Sequence, residues 1–264
     1  MSRPGDRIFK LLSTAAAVSI MVILAGVALF LIIRALPAIV TNWSATAELK
    51  AGVTGGFGSF WAYVGPLAFG TVWASVIALV LAAPVAVGIA LFISHYSPRR
   101  LANLLGYIVD LLAAVPSVVF GLWGILVMRP FLLPLQDWLN EYLGWLPLFG
   151  GKVTSTGSSI LTGAVVLAVM VLPIITSISR EVFLQTPRLH EEAALALGAT
   201  RWEMVRLAVF PYARSGVLSA ILLGLGRALG ETMAVAMIIS PAIIASFRLV
   251  TEGENPQTIA SNIA

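Results

Sequence analysis

The 264-residue chain is 59% hydrophobic and 11% charged, against about 25% charged residues in an ordinary soluble domain, so its composition is that of a membrane protein. A formal charge of +4, from 16 Lys and Arg against 12 Asp and Glu, is too thinly carried to cover a nucleic acid, and no nucleic-acid partner is expected. With no cysteine there is no disulfide framework, thiol nucleophile or cysteine metal site; His95 and His190 lie too far apart in sequence to suggest a metal centre, and no cofactor or catalytic residue is expected.

A membrane-crossing helix needs about 20 apolar residues. Leu11 to Ile33 is the first run of that length and carries no charge. Arg3, Arg7 and Lys10 precede it as in a secretory signal, but its core exceeds the roughly 7 to 15 residues of a signal h-region, so it reads as an anchor. A loop rich in Gly and Thr, Ser44 to Gly65, separates it from the rest, giving one segment over 1–65 and a second over 66–264. Leu67 to Ile93 is the second run, uncharged. Leu101 to Met128, the third, contains only Asp110, which is either a charge in the bundle interior or a hydrogen-bonding contact to a neighbouring helix.

The next stretch, Phe131 to Phe149, is too polar to span. Leu135, Trp138, Leu139, Tyr142 and Leu143 share one helical face, which predicts an interfacial or re-entrant helix, or one capping the bundle, with Trp138 and Trp145 as interface aromatics. Ser158 to Ser179 is the fourth run and Ser215 to Ser240 the fifth. The fold class is an all-α integral membrane protein with five transmembrane helices in this chain. Pro84, Pro116 and Pro173 sit inside these runs, where proline kinks a helix and frees carbonyls. With the N-terminus cytoplasmic, ten Lys and Arg fall inside and five outside, which is the expected bias. An odd number of spans then leaves the C-terminus outside, in the polar stretch TEGENPQTIASNIA.

Between the fourth and fifth runs lies QTPRLHEEAALALGATRWEMVRLAVFP, Gln185 to Pro211. Thr186 can cap a first short helix with Pro187 at its first position, and Gly198 can end it in a left-handed turn. Thr200 and Glu203 form a capping box for a second helix, with Trp202, Val205 and Val209 along one side and Pro211 at its end. The product is a rigid elbow on the cytoplasmic side, able to take force from a soluble partner or to stand as a surface hairpin. No G-x-x-x-x-G-K-[ST] phosphate loop is present.

In the fifth run, GLGRALGET places Arg227 and Glu231 among apolar residues, where each ionisable group costs at least about 2.5 to 3.5 kcal/mol. Arg227 is the thirteenth of the 26 residues from Ser215 to Ser240. At about 100° per residue Ala220, Gly224, Arg227, Glu231, Ala234 and Ile238 form one stripe, so the two charges read as paired, either for a transport path or as a buried tie between helices. Gly226 and Gly230, on the adjacent face, read as a helix-packing pair.

Glu192, Ala193, Ala194, Gly198 and Pro211 have the spacing of the EAA loop, and the elbow resembles that of ABC importer permeases, although Ala208 and Phe210 stand where the family favours Ile and Leu. GLGRALGETMAV, DLLAAVPSVVFGLWG from Asp110 and SREVFLQTP from Ser179 resemble the permeases of bacterial phosphate import systems, of the PstC type. That resemblance implies a type I ABC importer permease fold with six helices, the last absent from this chain. It also implies a bacterial inner-membrane location, a sister permease, a dimer of ATPase subunits docking on the elbow, a periplasmic phosphate-binding protein, and Arg227 and Glu231 on the phosphate path. Arg227 would grip an oxyanion, and Glu231 would accept a hydrogen bond from a protonated phosphate oxygen. An ABC permease for another solute and a secondary transporter or channel are the competing readings.

Overall fold

The computed structural model describes residues 4–40, 59–239, 242–251, 253 and 255–263. Most of the expected boundary loop, residues 44–58, lies outside them, as do Lys50, Ser240 and Ala264. The chain divides into two compact units, Met1–Tyr63 and Val64–Ala264. In the first, α1 (Pro4–Val40) is one unbroken helix whose apolar side chains are exposed along its length, as suits a solvent of lipid rather than water.

Among the described residues five helices are long and apolar enough to cross a membrane: Arg7–Pro37, Phe60–Tyr96, Ser117–Leu143, Ile160–Leu184 and Arg201–Leu229. No β-strand forms among these residues, only isolated bridges between Val153 and Thr251 and between Ala242 and Pro256. The protein is all-α. The first, second and fourth helices fall on the runs read from sequence, whereas the third and fifth do not.

Expected over Leu101 to Met128, the third span is instead two helices. Proline has no N–H to continue a ladder and holds the preceding residue out of the helical region, so Pro116 breaks the run and caps a new start. α3 (Arg99–Ala113) ends before it and packs on the fourth span. α4 (Ser117–Trp123) begins after it, and a π-turn at Gly124–Met128 carries it into α5 (Arg129–Leu143). The segment from Phe131 is therefore the second half of a span rather than an interfacial, re-entrant or capping helix, and the apolar face read from sequence is not the one it buries. Leu132 and Gln136 are buried, while Leu135, Trp138 and Tyr142 are exposed. Gln136 Nε2 donates to Thr162 Oγ1 at 3.0 Å and Asn140 Nδ2 to Phe149 O at 2.6 Å. In a bilayer the outer surface is apolar and polar side chains find partners inside.

Two helices hold the centre. α2 (Phe60–Leu91) presents Ala74, Ala78, Ala82, Ala86 and Ala90 as a buried stripe, and α6 (Ile160–Leu184) is capped by Ser159, whose Oγ accepts from the Thr162 amide. Thr176 Oγ1 donates to Ala86 O, tying the two. Against α6 packs α9 (Phe210–Leu229), through Ala213, Ala220, Gly224 and Ala228. A Cβ added at Gly224 would lie 2.8 Å from Ile175 Cδ1, but one at Gly226 would meet nothing within 4 Å. The packing glycine is thus Gly224, and the Gly226 and Gly230 pairing expected from sequence is not a seam within this chain.

The C-terminal stretch, expected as a polar outer end, folds back into the bundle. Asn255, fully buried, accepts from Ile160 N–H and donates to Ser158 O, closing the start of α6. Ile259 N–H donates to Thr71 Oγ1 on α2 at 2.9 Å. Gly224→Leu should lower the stability of the purified chain in detergent by about 1–3 kcal/mol, the usual cost of overpacking, while Gly226→Leu should leave its thermal midpoint unchanged.

Candidate functional site

The elbow follows its local signals closely. α7 (Arg188–Ala196) starts one residue later than expected, with Pro187 at the cap position and the Thr186 hydroxyl buried without a hydrogen-bond partner. The helix closes in a Schellman turn, Gly198 N–H to Leu195 O and Ala199 N–H to Ala194 O, which needs the left-handed backbone that Gly198 adopts at φ +86°. α8 (Arg201–Met204) carries the expected capping box. Thr200 Oγ1 accepts from Glu203 N–H at 3.3 Å and Glu203 Oε2 from Thr200 N–H at 2.8 Å.

Pro211 does not end this second helix. A π-turn at Val205–Val209 shifts the backbone register, Phe210 N–H reaching back to Val205 O. The turn leads into α9 with Pro211 at its second position, the shifted register accommodating a residue without an N–H. Arg201–Leu229 is consequently one helix of 29 residues, about 44 Å long at the usual rise. Its elbow end is locked to the ends of the second and fourth spans through a core of Leu91, Phe183, Met204, Val205 and Val209. Phe183 is fully buried, edge-on to Phe210 and to His95. His95 Nε2 lies 3.4 Å from Glu191 Oε1, a further tie between elbow and second span.

On the outer side of the elbow is a cleft of about 970 Å³, with Ala193, Ala194, Leu197, Gly198, Leu207 and Pro211 in its wall. Of the five residues with the EAA-loop spacing, Ala193, Ala194, Gly198 and Pro211 line it and Glu192 does not. Glu192 is exposed beside it. Leu197 and Leu207 are 90% and 68% exposed, so the cleft is rimmed by apolar side chains left uncovered among the described residues.

At the far end of the same helix the expected stripe is broken. α9 stops at Leu229, Gly230 caps it, and a separate short helix, α10 (Met233–Ile238), follows. Arg227 is therefore in the last turn of α9 rather than at mid-helix, and is exposed; Glu231 lies beyond the helix end and is only 7% exposed. No ion pair within 4.0 Å joins them. Glu231 Oε1 instead accepts from Ala234 N–H at 3.1 Å, holding the start of α10.

The opposite end of α10 is held by a residue that sequence reasoning placed in an outer loop. Arg129, half-buried in the third span, donates through Nη2 to Met237 O at 2.9 Å and Ile238 O at 2.6 Å. Ser158 Oγ donates to Ile238 O as well. Gly121 and Gly124 leave α10 room to nest, a Cβ at either meeting Ala234 or Ile238 within about 3 Å. The one signal for Arg129 was Pro116: starting the helix after it puts Arg129 inside the span. Asp110 sits apart from this site. Its Oδ1 accepts from Ser177 Oγ at 2.6 Å, the neighbouring-helix alternative of the two.

Residues 84–260 match the family described as binding-protein-dependent transport system inner membrane component. The chain belongs to that family. It is 51% identical over 243 residues to the phosphate transport system permease protein PstC 2 of Mycobacterium tuberculosis, covering 91% of this chain and 75% of that one. To the PstC of Mycobacterium leprae it is 47% identical over 244 residues, 92% and 76% of the two lengths. To that of Xylella fastidiosa strain Temecula1 it is 39% identical over 270 residues, 98% and 79%. The competing reading as a secondary transporter or channel is thereby set aside at the level of family, and the matched residues include the elbow.

Two outcomes test this geometry by amide hydrogen exchange. Thr200→Ala removes a cap worth about 1 kcal/mol and should speed exchange at Glu203 roughly fivefold. Arg129→Leu strands the Met237 carbonyl, at a cost of about 1–3 kcal/mol, and should speed exchange across residues 233–239 while sparing the elbow.

Proposed function

We propose that the chain is the permease subunit of an ATP-driven phosphate importer, providing half of the translocation pathway in a bacterial inner membrane with its N-terminus cytoplasmic. The observation that carries the reading is the continuity of Arg201–Leu229. One rigid helix bears the elbow at one end and Arg227 at the other. A push on the elbow cleft by an ATPase subunit moves the helix as a body, because the Phe183 core leaves the elbow no independent freedom. ATP hydrolysis then belongs to a partner chain, a dimer of ATPase subunits. The exposed side of α9, with Leu218, Leu222 and Leu223 beside Arg227, faces the sister permease across the pathway, and a periplasmic phosphate-binding protein delivers the anion.

At the helix end Arg227 offers a guanidinium fork with no ion pair to a carboxylate among the described residues, suited to two oxygens of a phosphate. Glu231 has a double task. Its Oε1 holds α10 in place, and its second oxygen accepts a hydrogen bond from the protonated oxygen of a monohydrogen or dihydrogen phosphate, a proton that sulfate at neutral pH does not carry. The names of the PstC relatives support phosphate over another solute.

Uptake of labelled phosphate is measured in cells lacking their own importer and supplied with this chain and its partners. Arg227→Ala should lower uptake more than tenfold, since a charge-assisted contact contributes roughly 1.5–3 kcal/mol. Glu231→Gln keeps an acceptor for Ala234 N–H but loses the charge, and should impair uptake and sulfate rejection without lowering the thermal midpoint. Full phosphate uptake in both variants, or uptake that survives ATP depletion with the proton gradient intact, would overturn the reading.

A further inference from the structure

Beside the elbow a second cavity, open on one side, has a volume of about 550 Å³, within the range of about 300–1,000 Å³ usual for small-ligand sites. It shares no lining residue with the elbow cleft, and neither Arg227 nor Glu231 belongs to it. Its wall comes from the end of the second span, from α3, and from the junction of α6 with α7. Arg99, Arg180 and Arg188 line it, with Asp110, Asn103 and Tyr107. Three guanidinium groups against one carboxylate leave it with a net charge of +2.

At ion-pair distance that charge has no partner among the described residues. Among the described residues the ion pair within 4.0 Å is His95 with Glu191, so none of the three arginines is bound to an acid. The carboxylate in the wall, Asp110, turns Oδ1 to Ser177. Arg180 Nε is buried without a hydrogen-bond partner. A buried guanidinium donor left unmet is costly, and proteins retain such groups where a ligand or partner completes them.

The position of Arg180 is also built into the backbone. A Cβ at Gly106, on α3, would overlap Arg180 Nη1, so only glycine there lets the guanidinium lie across the helix. The cavity thus pairs a fixed arginine with two exposed ones and with the neutral donors of Asn103 and Tyr107. That donor set suits a tetrahedral oxyanion, which takes bidentate contacts from planar forks and single contacts from hydroxyl and amide groups.

We propose that this cavity is a binding site for a phosphoryl oxyanion, either inorganic phosphate or the phosphate of an anionic lipid headgroup. The site rests on its own residues and stands whether or not Arg227 contacts a transported anion.

The test uses the full chain, purified in detergent with the subunits that accompany it, in two binding measurements. One is equilibrium dialysis with labelled inorganic phosphate; the other is native mass spectrometry during titration with phosphatidylglycerol or phosphatidylcholine. Arg180→Gln should weaken one of the two anionic ligands at least tenfold. Gly106→Ala keeps every charge but displaces the guanidinium, and should weaken the same ligand several-fold with the thermal midpoint retained. Arg100→Gln removes an equal charge from outside the lining and should change neither. Loss of inorganic phosphate alone identifies the free anion, and loss of phosphatidylglycerol alone, with phosphatidylcholine indifferent, identifies the headgroup. Wild-type binding of both by Arg180→Gln and Gly106→Ala would overturn the proposal, as would an equal loss in Arg100→Gln.

Discussion

A helix that ends inside an apolar bundle leaves amide and carbonyl groups that no water can satisfy, and the fold must supply partners for them. This chain ends its longest elbow-linked helix at Leu229 and starts another at Met233. The break persists because Glu231 takes the Ala234 amide at one end of α10 while Arg129 and Ser158 take the Met237 and Ile238 carbonyls at the other. Acid at the start and base at the end also oppose the helix dipole in the favourable sense. Everything at the candidate site follows from that arrangement: Arg227 is at a helix end because the helix ends there, and Glu231 is buried because it has a backbone to hold.

The same helix carries the mechanical side of the protein. Its elbow end cannot hinge freely, since Phe183, Met204, Val205 and Val209 form one core with the end of the second span. The π-turn at Val205–Val209 admits Pro211 without stopping the helix, so the elbow end and the Arg227 end belong to one continuous element. Rigid elements with satisfied ends transmit displacement; frayed ones absorb it. The bundle meanwhile covers its surface with exposed apolar side chains and keeps Gln136, Thr162 and Asn255 within, beside its apolar core.

Local chemistry in the elbow could be read directly from the chain. The capping box of Thr200 and Glu203 and the left-handed turn at Gly198 involve residues a few positions apart, and nothing distant competes with them. The presence of five apolar spans was equally legible, because the bilayer sets their length. Pro116 was ambiguous, since proline within an apolar run can either kink a helix or start one. The starting role moved the third span by about sixteen residues and brought Arg129 inside it.

Residue chemistry by itself determined the membrane setting, the elbow, and the two charges that a bilayer tolerates only with a reason. What the tertiary structure decided is where those charges go. A straight helix would have put Arg227 and Glu231 on one stripe, one turn apart, but helix continuity at Gly230 depends on whether distant groups can satisfy a break. The groups that do so come from other parts of the chain: Arg129 from the third span, Ser158 from the start of the fourth, and the room left by Gly121 and Gly124. Asn255 likewise looks like part of a polar tail until Ser158 and Ile160 are seen to need its amide. Periodicity reports a neighbour four residues away; it cannot report a hydrogen bond that crosses 109.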